Sequence, residues 1–178
     1  MIRFFVPGNP KTLKRHRSYT TRKGIHVNVD PNKTDKMDFL AKAIAHKPDE
    51  PIEGAVCVRL IAVFPRPKAH YRTGRHANLL KDSAPFWHTS TPDLDNVLKF
   101  IGDALNGIFW KDDRTICNVW IAGVYGRTPG IAVEVWTPEL DDVSRTMDCL
   151  SDFNQERRDV EKTKDQRSAP GPHVGHDN

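Results

Sequence analysis

Ten consecutive residues, Ala55-Val56-Cys57-Val58-Arg59-Leu60-Ile61-Ala62-Val63-Phe64, carry a single charge among otherwise apolar side chains. A strand with one wet face alternates polar and apolar residues, so a run this continuous predicts a strand at the centre of a sheet, with neighbours on both edges. Pro65 and Pro67 close it, because proline cannot continue a ladder of backbone hydrogen bonds. The rest of the chain must supply partner strands and a helical layer. The expected fold class is α+β: a mixed β-sheet with two main helices packed mainly on one face.

The partners can be found by period. Ile2 to Val6 reads as a first strand ending at Pro7-Gly8-Asn9-Pro10, and His26 to Val29 as a short one. Asn32 or Thr34 would cap a helix bearing Met37, Leu40, Ala41, Ile44 and Ala45, stopped by Lys47-Pro48. A second helix is expected from Thr91-Pro92 to about Asn106. Thr91 would be its cap, Pro92 would lie in the first turn, and Leu94, Val97, Leu98, Ile101 and Leu105 would form the buried stripe. Ile116 to Tyr125 and Ile131 to Trp136 read as strands joined through Gly126-Arg127-Thr128-Pro129-Gly130 as a hairpin. These elements make one domain, 1–137. Leu140, Val143, Met147 and Leu150 suggest an appended amphipathic helix over 138–151, and 152–178 is polar enough to be a disordered tail.

Charge divides along the same boundary. Residues 1–137 hold 21 Lys+Arg against 13 Asp+Glu, a net +8, and residues 138–178 hold 6 against 10, a net −4. A basic body attracts polyanions by releasing their counterions. The cations concentrate in an arm (Lys11, Lys14, Arg15, Arg17) that contains no acid up to Lys23, and in a loop from 65 to 90 that includes Lys68 and Arg72. Both read as DNA-contacting segments, the arm as one too repulsive to stand without a polyanion, and Tyr71, Phe86 and Trp87 as aromatics the loop can bury. The three cysteines form no CxxC pair and read as reduced thiols, and no stretch approaches the roughly 18 apolar residues of a membrane span. The expected location is cytoplasmic. Gly8-Asn9-Pro10-Lys11-Thr12 lacks the glycines of a phosphate loop, so no nucleotide cofactor is expected. His70, His76 and His88 read as surface or DNA-facing residues rather than a metal cluster, and the four tryptophans as core or rim anchors rather than a stacking platform, the alternative being that Trp87, beside the basic loop, stacks on an unpaired base.

The chemistry gathers on the second helix. At about 100° per residue Asp95, Lys99 and Asp103 fall along one face, opposite the apolar stripe. Asp93 and Asp95, two apart, converge only if Asp93 lies in the extended or first-turn segment. Asp103 is about 12 Å further along the axis, too far to share an ion with Asp95, so a third ligand must come from elsewhere, with Asp112 or Asp113 as the candidate. Carboxylates are hard donors suited to Mg²⁺ or Mn²⁺, and Lys99 can offset charge on a scissile phosphate. The plainer alternative is an acid-favouring helix start, an i, i+4 surface pair and a turn, in a DNA-binding module without catalysis.

Taken together, Asp93-Leu94-Asp95-Asn96, Lys99, Asp103-Ala104-Leu105 and Trp110-Lys111-Asp112-Asp113 resemble the signature of RusA-type Holliday junction resolvases. The strand-then-basic opening from Pro7 to Arg17 and the Phe64-Pro65-Arg66-Pro67-Lys68 to Asp82-Ser83-Ala84-Pro85 loop are similar to those of phage-type members. The resemblance implies metal-binding catalytic acids at Asp93, Asp95 and Asp113, a catalytic or phosphate-contacting Lys99, and supporting matches at Asp103 and Asp112. It also implies Mg²⁺-dependent homodimers that place paired symmetric nicks in four-way junctions. It says nothing of residues beyond about 138.

Overall fold

A computed structural model describes residues 1–14 and 17–147, the Arg17 side chain excepted. The elements run β1 (Ile2–Pro7), β2 (Arg17–Thr20), β3 (His26–Val29), α1 (Lys33–Ala43), β4 (Val56–Pro65), α2 (Leu94–Leu105), β5 (Ile116–Gly126) and β6 (Gly130–Trp136). Four strands form a mixed sheet in the order β1-β6-β4-β5, and β2 and β3 form a separate antiparallel pair. The helices α1 and α2 pack against each other, α1 also on β1 and α2 on β4 and β5. The expected α+β class, with its mixed sheet and helical layer, is the observed one.

The run around Val56–Phe64 is indeed internal to the sheet, antiparallel to β6 on one side and parallel to β5 on the other. Its alternate residues Val56, Val58, Leu60, Ala62 and Phe64 are buried with Val97, Phe100, Ile101 and Leu105 of α2 in a single core. The opposite face is drier than alternation would suggest, because Arg59 lies 5.6 Å from the ring centres of both Trp120 and Trp136 and pairs with Glu134 at 3.0 Å. A long cationic stem flanked by two indoles covers apolar surface while its head stays solvated.

Three expectations about the strands and helices need correction. First, β5 and β6 are not a hairpin. β4 lies between them, and Arg127–Pro129 carries the chain across it. The reason lies in β4 itself, since a strand so apolar must pair on both edges, and pairing β5 directly with β6 would leave one of them open. Second, α2 begins at Leu94 with Asp93 as its flanking residue, two positions after the expected cap at Thr91. Third, α1 buries Phe39 and Ala43, with Leu40 at the margin, while Met37, Ala41, Ile44 and Ala45 are exposed.

Two of the arm's cations find a partner within the chain. Asp35 of α1 pairs with Lys11 at 3.1 Å and with Lys14 at 3.6 Å. Asn32, fully buried, does not cap α1 with its side chain. Its Oδ1 accepts from the Lys14 N–H at 3.0 Å and its Nδ2 donates to the Lys14 carbonyl at 2.9 Å. Within the 65–90 loop Tyr71 bridges to Leu80 and Arg72 pairs with Asp82 at 2.9 Å. Phe86 and Trp87 are exposed rather than buried. Cys57 and Cys117, far apart in sequence, bring their Sγ atoms to 3.9 Å across the parallel pair.

The chain divides after Thr137 into two units. In the second, residues 140–147 are helical, with Leu140, Val143 and Met147 exposed. Leu150 and the expected tail over 152–178 lie outside the described residues. No helix among the described residues is long and apolar enough to cross a membrane.

Candidate active site

Asp93 adopts an extended conformation (φ −71°, ψ 141°), and its carbonyl accepts the Val97 N–H at 3.2 Å while its carboxylate caps no helix N–H. That is the condition under which Asp93 and the first-turn Asp95 can serve the same end of α2. Both are exposed. One turn on, Lys99 Nζ donates to Asp95 Oδ2 at 3.0 Å. This hydrogen bond holds the Asp95 carboxyl below its ordinary range, and the exposed N–H groups at the helix start favour the same ionised form.

The arm reaches this turn. The Leu13 N–H donates to the Asn96 carbonyl at 3.0 Å, and Leu13 packs against the core. Lys11 and Lys14 therefore flank a segment tied by backbone bonds to α2 and, through Asn32, to the start of α1. Arg15 lies outside the described residues, as does the Arg17 side chain. Lys68 and Arg72, on the 65–90 loop, are exposed.

The remaining acids are employed elsewhere. Asp103 pairs at 2.8 Å with Lys36, which also reaches Asp30 at 3.3 Å. Burial pushes the Lys36 ammonium down, but the hydrogen bonds it donates to Asp103 and Asp30 outweigh it and raise its pKa. Asp103 thus ties α2 to α1 and, through Lys36, to the loop before it. The Asp112 carboxylate accepts the Arg114 N–H at 3.1 Å, the bond that chiefly lowers its pKa, and so caps the single 3₁₀ turn at 113–115. Asp113 opens that turn and is exposed.

The sheet sets the distances. Leu94 lies over Gly123, where an added methyl would stand 2.8 Å from Leu94 Cδ2, so Asp93 and Asp95 belong to the Gly123 end of β5. Asp113 precedes Ile116, the first residue of β5. Seven residue steps lead from Ile116 to Gly123, roughly 23 Å at about 3.3 Å per step. Within one chain Asp113 therefore does not join Asp93 and Asp95, and among the described residues no three His, Cys, Asp or Glu side chains gather to hold a metal ion. The donor type nonetheless suits a hard divalent cation, with two carboxylates at one helix start and a third exposed on each chain.

The family model for endodeoxyribonuclease RusA matches residues 7–136. The chain belongs to the RusA family. The match takes in the arm, α1 and α2, the acids and three of the four strands of the sheet, and the fold is thus that of a DNA endonuclease. A relative from Bacillus subtilis (strain 168), the uncharacterized protein YqaN, is 26% identical over 136 residues, which cover 75% of this chain and 94% of that protein.

Three parts of this RusA-family site are not legible in the sequence. Asn32 is expected there at a helix cap, and nothing local shows that its partner is 18 residues earlier. Lys36 gives no sign in sequence of its pairing with Asp103. His88, expected at the surface, is buried, with its ring 3.6 Å from that of Phe64.

Proposed function

We propose that this RusA-family endonuclease resolves four-way DNA junctions by paired symmetric nicks, working as a homodimer with Mg²⁺, or Mn²⁺, at each site. The observation that carries the reading is the Leu13–Asn96 bond, which puts the cationic arm beside the turn that bears Asp93, Asp95 and Lys99. Cations for the phosphate backbone and acids for phosphodiester chemistry then lie on two segments bonded to each other at the start of α2.

Asp93 and Asp95 would hold the ion together with Asp113 of a second copy, because Asp113 of the same chain lies at the far end of β5. When bound, the ion supplies Lewis acidity at the scissile phosphate and a water of lowered pKa. Lys99 keeps Asp95 ionised and presents a positive charge beside the position of the phosphate. Lys11, Lys14, Arg15, Arg17, Lys68 and Arg72 contact the backbone of the junction arms and set its register. A two-fold dimer gives two equivalent sites, which is what two opposed nicks require.

The test is cleavage of a labelled four-way junction beside the matching linear duplex, in Mg²⁺ and in EDTA, with the Asp95→Asn variant alongside. Symmetric nicks confined to the junction, lost in EDTA and in the variant while binding persists, are expected. Binding without a cut in either Mg²⁺ or Mn²⁺ would reduce the protein to a DNA-binding module.

A further inference from the structure

Phe86 and Trp87 are 57% and 58% exposed, and their rings meet edge to face at 5.1 Å. Two adjacent aromatics left this open are unusual on a folded surface, where exposed apolar groups in contact with each other tend to mark a binding site. Their backbone is firmly held. The Tyr125 N–H donates to the Phe86 carbonyl and the His88 N–H to the Gly123 carbonyl, each at 2.9 Å, so Trp87 pairs antiparallel with Val124 as an added edge of the sheet. On one side the segment is anchored by the buried His88 ring, stacked on Phe64. On the other, Arg66 donates to the Pro85 carbonyl at 2.8 Å and to the Tyr125 carbonyl at 3.3 Å.

The anchoring also fixes where the pair sits. Val124 follows Gly123, and Gly123 is the residue on which Leu94 packs, between Asp93 and Asp95. The pair thus stands at the same end of β5 as the acid-bearing turn of α2, with Trp87, opposite Val124, on the sheet face turned away from the helix, on a loop whose charges include Arg66, Lys68 and Arg72. Acids that cut at a branch need the branch point located, and base pairs there are partly unstacked. An aromatic face offers such a base a sequence-tolerant partner.

We infer that Phe86 and Trp87 form a stacking platform for an unpaired nucleobase at the branch point of the DNA, holding the crossover at the β5 edge of the sheet, at the end where α2 carries its acids. The inference rests on the junction-cleaving reading above and adds to it the feature that distinguishes branch from duplex. The occupant is a base rather than a second copy of the chain, since the surrounding loop is cationic and suits a polyanion.

The experiment uses the full-length protein in EDTA and a four-way junction carrying 2-aminopurine either next to the branch point or within an arm. Wild type should change the branch-point fluorescence and leave the arm probe unmoved. Trp87→Ala should abolish that change and weaken junction binding about tenfold, and more than it weakens duplex binding. Trp87→Phe should retain the change. Circular dichroism and solution mass of the variants should match wild type.

A branch-point signal that Trp87→Ala leaves intact overturns the platform, as does an equal loss of junction and duplex binding. A fall in solution mass would place the pair between copies and overturn it as well. Junction cleavage by wild type in Mg²⁺ is read separately. A protein that cuts the junction without moving the probe loses the platform alone, whereas one that neither binds nor cuts loses both readings.

Discussion

His88 shows how one side chain can tie the site to solution conditions. Burial disfavours its charged form and lowers its pKa from 6.5, against a smaller opposing effect from the hydrogen bond with the Thr91 backbone. The unfolded chain then takes up a proton near pH 6.5 that the folded chain refuses. The associated stability is complete above that pH and is lost as the pH falls from 6.5 through the folded value. The urea midpoint should accordingly drop below pH 6.5, and His88→Phe, which keeps an aromatic ring against Phe64 and cannot titrate, should flatten that drop relative to wild type. Equal slopes for the two proteins would assign the loss to the other histidines. At this scale the sequence is legible where partners are local. The Asp95–Lys99 pair follows from helical spacing, whereas Asn32, Lys36 and His88 act through partners brought near only by the folded chain.

At the scale of elements, the helix that carries the acids is readable because its apolar stripe is continuous. Val97, Ile101 and Leu105 are buried, with Leu94 and Leu98 at the margins. The first helix misleads because its apolar residues wrap too far round, so that period alone does not choose Phe39 over Met37 or Ile44. Strand positions are legible from β-branched runs, but strand pairing is not. A short link after Gly126 looks like a hairpin until the demand of β4 for two partners is taken into account. The contact between α2 and β5 also makes a prediction. Gly123→Ala would place its methyl 2.8 Å from Leu94 Cδ2 and 3.3 Å from His88 Cβ. Overpacking of this kind costs about 1–3 kcal/mol, less here because the Leu94 methyl can move. Thermal unfolding should show a loss near the low end of that range, while junction cleavage falls more steeply, because the displaced turn bears Asp93 and Asp95. Unchanged cleavage with reduced stability would separate the packing from the site.

For the whole molecule, the position of Asp113 separates two ways of building the site. If each site takes Asp93 and Asp95 from one copy and Asp113 from the other, Asp95→Asn and Asp113→Asn should each be inactive alone. Mixed and allowed to exchange, half of the dimers become hybrids with one intact site, giving about a quarter of the wild-type nicking, as single rather than paired cuts. No recovery on mixing, with exchange verified by mass, would place all three acids in one chain. Another feature of the sheet bears on how the chain can be rearranged. Ile2 stands opposite Val135 in the β1–β6 ladder, at the sheet edge away from β5. The first strand and the last are thus neighbours, and the order in which the elements are threaded is not what holds them together. A circular permutant that joins these two ends and opens the backbone in the exposed 73–79 segment would keep every strand pairing intact.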